Sequence, residues 1–125
     1  MTTPTQAELE ILNLLWHHKE ASVQLINDEL NKLRPIGYTT TLKTMQLMAQ
    51  KGWLDRRLDG KSHIYRALLQ EDEIKENLLS RFIESTFMGS RSQLLMRLLG
   101  KEKVSTEEIS EIKEYLNKLE SKGNE

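Results

Sequence analysis

The sequence predicts a mainly α-helical chain with a single small β-hairpin, in which an N-terminal head (residues 1–69) precedes a purely helical remainder (residues 70–125). Three observations predict it. Apolar residues recur at three- and four-residue spacing in several separate stretches, the signature of helices with one buried face. The tetrads Thr5-Gln6-Ala7-Glu8, Ser90-Arg91-Ser92-Gln93 and Ser105-Thr106-Glu107-Glu108 have the capping-box form that starts a helix. Asp59-Gly60 lies between two short runs, Trp53 to Leu58 and Ser62 to Leu68, and a two-residue Asp-Gly loop is the strongest short-range hairpin signal.

The first helix begins at the Thr5 box and continues to about His17, with Leu9, Leu12, Leu15 and Trp16 on its apolar stripe. His17 and His18 end it. Neighbours on a helix point about 100° apart, so these two make a poor chelating pair, whereas basic groups in a last turn complement the helix dipole. No metal site is expected there. Ser22 can cap a second helix carrying Val23, Ile26, Leu30 and Leu33, and Arg34-Pro35-Ile36-Gly37 breaks it. A third helix from Tyr38 to Lys51 buries Leu42, Met45, Met48 and Ala49 and is closed by Gly52. Its opposite face presents Thr39, Thr40, Lys43, Thr44 and Gln50. Helix, helix, turn, helix and basic hairpin in that order form a winged helix-turn-helix, although the last two pieces could also be an ordinary helix and hairpin with solvated charges.

Charge is distributed unevenly. Between Arg34 and Arg66 there are seven basic residues (Arg34, Lys43, Lys51, Arg56, Arg57, Lys61, Arg66) against Asp55 and Asp59, a local excess of five, whereas the whole chain carries a net charge of -1. Such a patch attracts a phosphate backbone while the overall charge conceals it. The expected partner is double-stranded DNA. Thr39, Thr40, Lys43 and Thr44 would enter the major groove, with Lys43 suited to guanine O6/N7 and the threonines to phosphates or thymine methyls. Lys61 and His63 at the hairpin tip would touch backbone or minor groove, and Arg57 and Arg66 would add phosphate contacts. Tyr38 can equally bond a phosphate or cover the core. Thr41, Leu42 and Met45 read as core.

Composition excludes other classes. With 30% charged and 38% hydrophobic residues the chain reads as globular, and the lack of cysteine removes disulfides, thiolate metal sites and thiol nucleophiles. Three histidines, no His-Glu-X-X-His and no glycine-rich phosphate loop argue against an enzyme and against any cofactor. There is no signal-peptide pattern in residues 1–20 and no apolar run of the roughly 18 residues a membrane span needs, so a cytoplasmic location without membrane insertion is expected. A winged helix serving as a protein-interaction module without DNA is the alternative, and the basic excess argues against it.

Beyond Leu69 the chain turns acidic, with nine basic and twelve acidic residues from Glu71 to Glu125. A fourth helix carries Ile74, Leu78, Leu79, Phe82, Ile83 and Phe87. The fifth carries Leu94, Leu95, Met96, Leu98 and Leu99, and the sixth Ile109, Ile112, Tyr115, Leu116 and Leu119. About 55 residues in three short helices bury too small a fraction of their surface alone. Burial against a second copy is the economical solution, with Ile74, Leu78, Phe82, Leu94, Leu95, Leu98, Leu99, Ile109, Ile112 and Leu116 as dimerisation residues; folding back onto the first 70 residues is the alternative.

The chain resembles the penicillinase repressors, the family of BlaI and MecI with the copper-responsive CopY proteins as relatives. The matching residues are Pro4 through Leu12 with Leu15-Trp16, then Thr40-Thr41-Leu42-Lys43-Thr44, Lys51-Gly52-Trp53-Leu54 and Gly60-Lys61-Ser62-His63-Ile64-Tyr65-Arg66. The resemblance implies a homodimeric repressor that reads a palindromic operator with its winged helices. It implies release when a membrane sensor-transducer with a metalloprotease domain leads to cleavage in the dimerisation region. Two departures stand out: Arg97-Leu98 occupies the place of the family's Asn-Phe cleavage bond, and the cysteine pairs of the copper-responsive relatives are missing.

Overall fold

In a computed structural model that describes residues 3–101 and 103–123, the chain runs through α1 (Gln6–His18), β1 (Ala21–Ser22), α2 (Val23–Asn31), α3 (Tyr38–Gln50), β2 (Leu54–Asp59), β3 (Ser62–Ala67), α4 (Glu71–Phe87), α5 (Arg91–Lys101) and α6 (Thr106–Gly123). The fold is mainly helical with a small antiparallel sheet. It divides into two compact units, Met1–Leu79 and Ser80–Glu125. The division falls inside α4, later than the end of the head read from the sequence. Ile74 in the early turns of this helix is buried, and the Lys75 ammonium lies 5.6 Å from the centre of the Trp16 ring.

Each helix of the first unit starts and stops for a local reason. The Thr5 box forms in full: Glu8 N–H donates to Thr5 Oγ1 at 3.2 Å and Thr5 N–H to Glu8 Oε1 at 2.8 Å, satisfying two amides a bare helix end leaves open. Lys19 ends α1 in a positive-φ conformation, φ 73°. Ser22 Oγ accepts from Leu25 N–H and caps α2. That helix ends at Asn31 rather than reaching Leu33, which is 65% exposed. Asn31 is the cause. Its amide donates to the carbonyls of Asn27 (2.7 Å) and Ile36 (2.9 Å) and its Oδ1 accepts from Ile36 N–H, clamping the turn into α3.

The first unit's core is formed by Ile11, Leu12 and Leu15 of α1, Val23, Ile26 and Leu30 of α2, Met45 and Met48 of α3, and Ala21, Leu54 and Tyr65 of the sheet. One polar link crosses it: Thr41 hydroxyl donates to Asn27 Oδ1 at 2.7 Å, both residues being buried. Trp16 Nε1–H donates to Leu69 O at 3.0 Å, fastening α1 to the strand exit.

The sheet has the order β1-β3-β2, so the hairpin gains a third strand that two residues are too few to announce in sequence. Asp59 pairs with Ser62, which makes the loop Gly60-Lys61 rather than Asp59-Gly60. Gly60 has φ 65° and Lys61 does not share the positive φ, the pattern of a II′ turn with glycine first. This register sets Lys61 at the tip.

In the second unit the end of α4 turns on Gly89 (φ 82°), whose N–H returns to Ile83 O at 3.0 Å. Ser90 Oγ accepts from Gln93 N–H and Ser105 Oγ from Glu108 N–H, the forward half of each capping box. Little is buried here. No described residue of α6 is buried, and Leu98, Leu99, Ile109, Leu116 and Leu119 are exposed. Among the described residues no helix is long and apolar enough to cross a membrane.

Candidate nucleic-acid interface

Helix α3 turns Thr41, Met45 and Met48 inward, and the 3.6-residue period then places Thr39, Thr40, Lys43, Gln46, Leu47 and Gln50 on the outer face. All six are exposed. This agrees with the sequence reading for Thr39, Thr40 and Lys43, but Thr44 sits on the flank. It is half-buried, and its hydroxyl donates to Thr40 O at 3.0 Å, which ties the side chain to its own helix. Gln46 was not among the expected residues, although its place three residues after Lys43 puts it on the same face. Leu47, 47% exposed, gives the row an apolar member. Gly37 caps α3 without a side-chain oxygen, so the first amides of the helix lack a side-chain acceptor.

Register decides which hairpin residues share a side. Leu54, Arg56, Leu58, His63, Tyr65 and Ala67 lie on one face of β2 and β3, and Asp55, Arg57, Asp59, Ser62, Ile64 and Arg66 on the other. The first of these faces is the one that meets the core, through buried Leu54 and Tyr65. Arg57 and Arg66 therefore lie on the opposite side from Arg56 and His63.

The basic patch is more neutral than its sequence suggests. Arg34 forms a two-pronged pair with Glu10 (2.7 and 2.8 Å), Arg57 pairs with Glu20 (2.8 Å), Arg66 with Asp55 directly across the ladder (3.0 Å), and Lys51 with Glu8. Lys51 also stands 4.2 Å from the centre of the Trp53 ring. Its ammonium is thus occupied on two sides and belongs to the architecture rather than the patch. Glu8, Glu10 and Glu20 lie far upstream of the segment they neutralise, and no local sequence signal reveals that. Among the described residues Lys43, Arg56 and Lys61 make no ion pair.

The carboxylates record the same pairing. Burial pushes the Glu8 carboxyl up, but hydrogen bonds from Lys51 and Thr5 outweigh it and hold the group below the ordinary glutamate range. The Arg34 hydrogen bond lowers Glu10, and that of Arg57 lowers Glu20. Arg34 and Arg57 are raised in return.

Of the residues expected to dimerise, Leu95, Leu98, Leu99, Ile109, Leu116 and Phe82 are exposed, and Leu78, Leu94 and Ile112 are half-buried. Ile74 is 4% exposed, so its surface is already spent inside the chain. Among the described residues no group of three or more His, Cys, Asp or Glu side chains could hold a metal; the His17 and His18 rings stack edge to face, 5.0 Å apart.

A three-helix head with a hairpin wing, a polar and basic outer row on the third helix and a lysine at the wing tip define a winged-helix DNA-binding protein. Residues 4–118 match the family model for the penicillinase repressor, and the chain belongs to that family of DNA-binding transcriptional repressors. It is 32% identical over 114 residues to the methicillin resistance regulatory protein MecI of Mammaliicoccus sciuri, covering 91% of this chain and 93% of that one. It is 23% identical over 118 residues to the penicillinase repressor of Staphylococcus aureus, covering 94% of each. A MarR family protein from Bacillus stearothermophilus shares the fold, with a TM-score of 0.58 at 20% identity over 99% of this chain and 78% of that one.

Proposed function

We propose that the chain represses transcription as a homodimer, each head laying α3 in the major groove of one half of a palindromic operator. The observation that carries this reading is the open row of Thr39, Thr40, Lys43 and Gln46 beside the unpaired Lys61 of the wing tip. Lys43 suits guanine O6/N7, Gln46 suits adenine N6/N7, and exposed Leu47 suits a thymine methyl. Lys61, His63 and Arg56 serve the backbone, where charge positions the head without reading sequence.

The helices after α4 supply the second half of the reading. Leu95, Leu98, Leu99, Ile109 and Leu116 are exposed apolar side chains gathered in one region of sequence, the kind of surface that marks an interaction site. A second copy covers it and links two heads, raising the effective concentration of the second head at its half-site. Anything that parts the two copies releases DNA. The proposed inducing route runs through this region, by disruption or by cleavage following activation of a membrane sensor-transducer metalloprotease, with no cofactor and with the repressor acting in the cytoplasm. Arg97-Leu98, in place of the family bond, is exposed on α5.

Sedimentation of the full chain, paired with gel shifts on a duplex it selects from a randomised pool, tests this. A dimer that prefers the selected, two-fold symmetric duplex over random DNA at physiological salt is expected. A monomer, or equal affinity for both duplexes, would overturn it.

A further inference from the structure

Between the starts of α2 and α3 and the tip of the wing lies a cleft of about 210 Å³, bordered by Ser22, Tyr38, Lys61, His63 and Tyr65. None of its lining residues is acidic. Its floor is Tyr65. The ring belongs to the core and the residue is 1% exposed, yet its hydroxyl makes no hydrogen bond with any described residue. Among the described residues no buried side-chain oxygen or nitrogen is both fully enclosed and without a partner. The trace of surface Tyr65 keeps is therefore at its hydroxyl, and the cleft is where that surface opens. The hydroxyl of this nearly buried phenol has no partner within the described chain, so any partner it takes must reach it through this opening.

What completes it is set by its neighbours. The side chains of Lys61, His63 and Tyr38 also make no hydrogen bond or ion pair among the described residues, although five of the head's other cations are paired. The His63 ring lies 6.5 Å from that of Tyr65. Ser22 opens α2 at the same cleft, so the positive end of that helix faces it. Gln24, which also lines it, is turned to Asp28 one helical turn along, at 2.8 Å. Spare donors, a free ammonium and a helix start around a small polar hollow without carboxylates are what a tetrahedral anion requires.

We propose that this cleft seats one DNA backbone phosphate per head, with the Tyr65 hydroxyl as its buried donor and Lys61, His63 and Tyr38 around its rim. The proposal rests on the DNA-binding reading and deepens it. A phosphate fixed simultaneously by the wing, the start of α2 and the start of α3 sets the depth and angle at which α3 enters the groove. The row at Lys43 and Gln46 can then address base edges in one register.

The test uses the full chain and the duplex it selects from a randomised pool, with single methylphosphonates placed in turn along each strand to remove one phosphate charge at a time. Tyr65→Phe keeps the ring in the core and removes only the oxygen. The wild-type chain is expected to show a methylphosphonate position in each half-site that costs about tenfold or more in affinity, the scale of a charge-assisted hydrogen bond. In Tyr65→Phe the unmodified duplex should bind about tenfold more weakly, and the penalty at that one position should shrink while the others persist. A purely structural role for the hydroxyl would lower the melting temperature and leave the pattern of penalties unchanged. Unchanged penalties, or Tyr65→Phe binding as the wild type does, would overturn the proposal. Lys61→Gln is the second variant, expected to blunt the same position. Failure of the wild-type chain to select any duplex would instead refute the DNA-binding reading itself.

Discussion

The salt dependence of DNA binding is fixed by which cations are free, and the structure counts them. Seven basic residues lie between Arg34 and Arg66, but Arg34, Lys51, Arg57 and Arg66 each hold a carboxylate. An arginine that leaves a carboxylate for a phosphate releases a counterion from DNA, while the abandoned carboxylate acquires one. The net release is near zero. Only Lys43, Arg56 and Lys61 should count, six cations per dimer, which gives a slope of log affinity against log salt of about -5. Were all seven free, the slope would be about -13. Between 50 and 200 mM salt the two cases differ by about four orders of magnitude in affinity lost, roughly 10³-fold against roughly 10⁷-fold. Fluorescence anisotropy on the selected duplex across that range measures it. Glu20→Gln removes the partner of Arg57 and should steepen the dimer slope by about 2, whereas Lys61→Ala should flatten it by about 2. A wild-type slope near -13, or no change on Glu20→Gln, would refute the view that internal pairing sets the effective charge.

Other outcomes follow from the same geometry. Lys43→Ala should cost about 1 to 3 kcal/mol per half-site on the selected duplex and relax preference at one base pair, while Lys61→Ala weakens selected and random duplexes alike; equal losses for Lys43→Ala on both would remove it from the base-reading row. Because the Glu8 carboxyl is lowered in the folded chain, its contribution is complete at neutral pH and fades as pH falls below the ordinary glutamate range through the folded value. The melting temperature of Glu8→Gln should therefore lie below that of wild type at pH 7 and approach it at low pH; a gap that does not narrow on acidification contradicts the assignment. Leu98→Glu with Leu116→Glu should shift sedimentation to monomer and weaken operator binding by about 10²-fold or more through lost effective concentration, with the first unit still melting cooperatively. Asn27→Ala should destabilise by about 1 to 3 kcal/mol, since it strands the buried Thr41 hydroxyl, and thermal melts would show it.

Much of the head was legible because its determinants are local. A capping box is complete within four residues, a helical stripe within eleven, and a glycine that must adopt positive φ announces the end of α3 at Gly52. What the sequence concealed depends on residues brought together from a distance. Glu8 and Lys51 are 43 positions apart, and Glu20 and Arg57 are 37. Nothing near Arg57 indicates that its charge is already spent. The third strand escaped for a related reason, since Ala21 and Ser22 pair only because β3 lies beside them. The hairpin loop was displaced by one residue, because the pairing of Asp59 with Ser62 outweighs the local preference of Asp-Gly for the turn.

Pairing also explains how a chain with net charge -1 can discriminate among DNA sequences. A head with every cation free would bind any duplex tightly at low salt and gain little from the correct bases, because the nonspecific term would dominate. Tying Arg34, Arg57 and Arg66 to glutamate or aspartate lowers that term. The cations left over stand where geometry gives them separate tasks: Lys43 in the α3 row, Arg56 on the inner face of the hairpin and Lys61 at its tip. Selectivity then depends on the fit of one helix face and one wing, doubled in the proposed homodimer, rather than on the amount of positive charge.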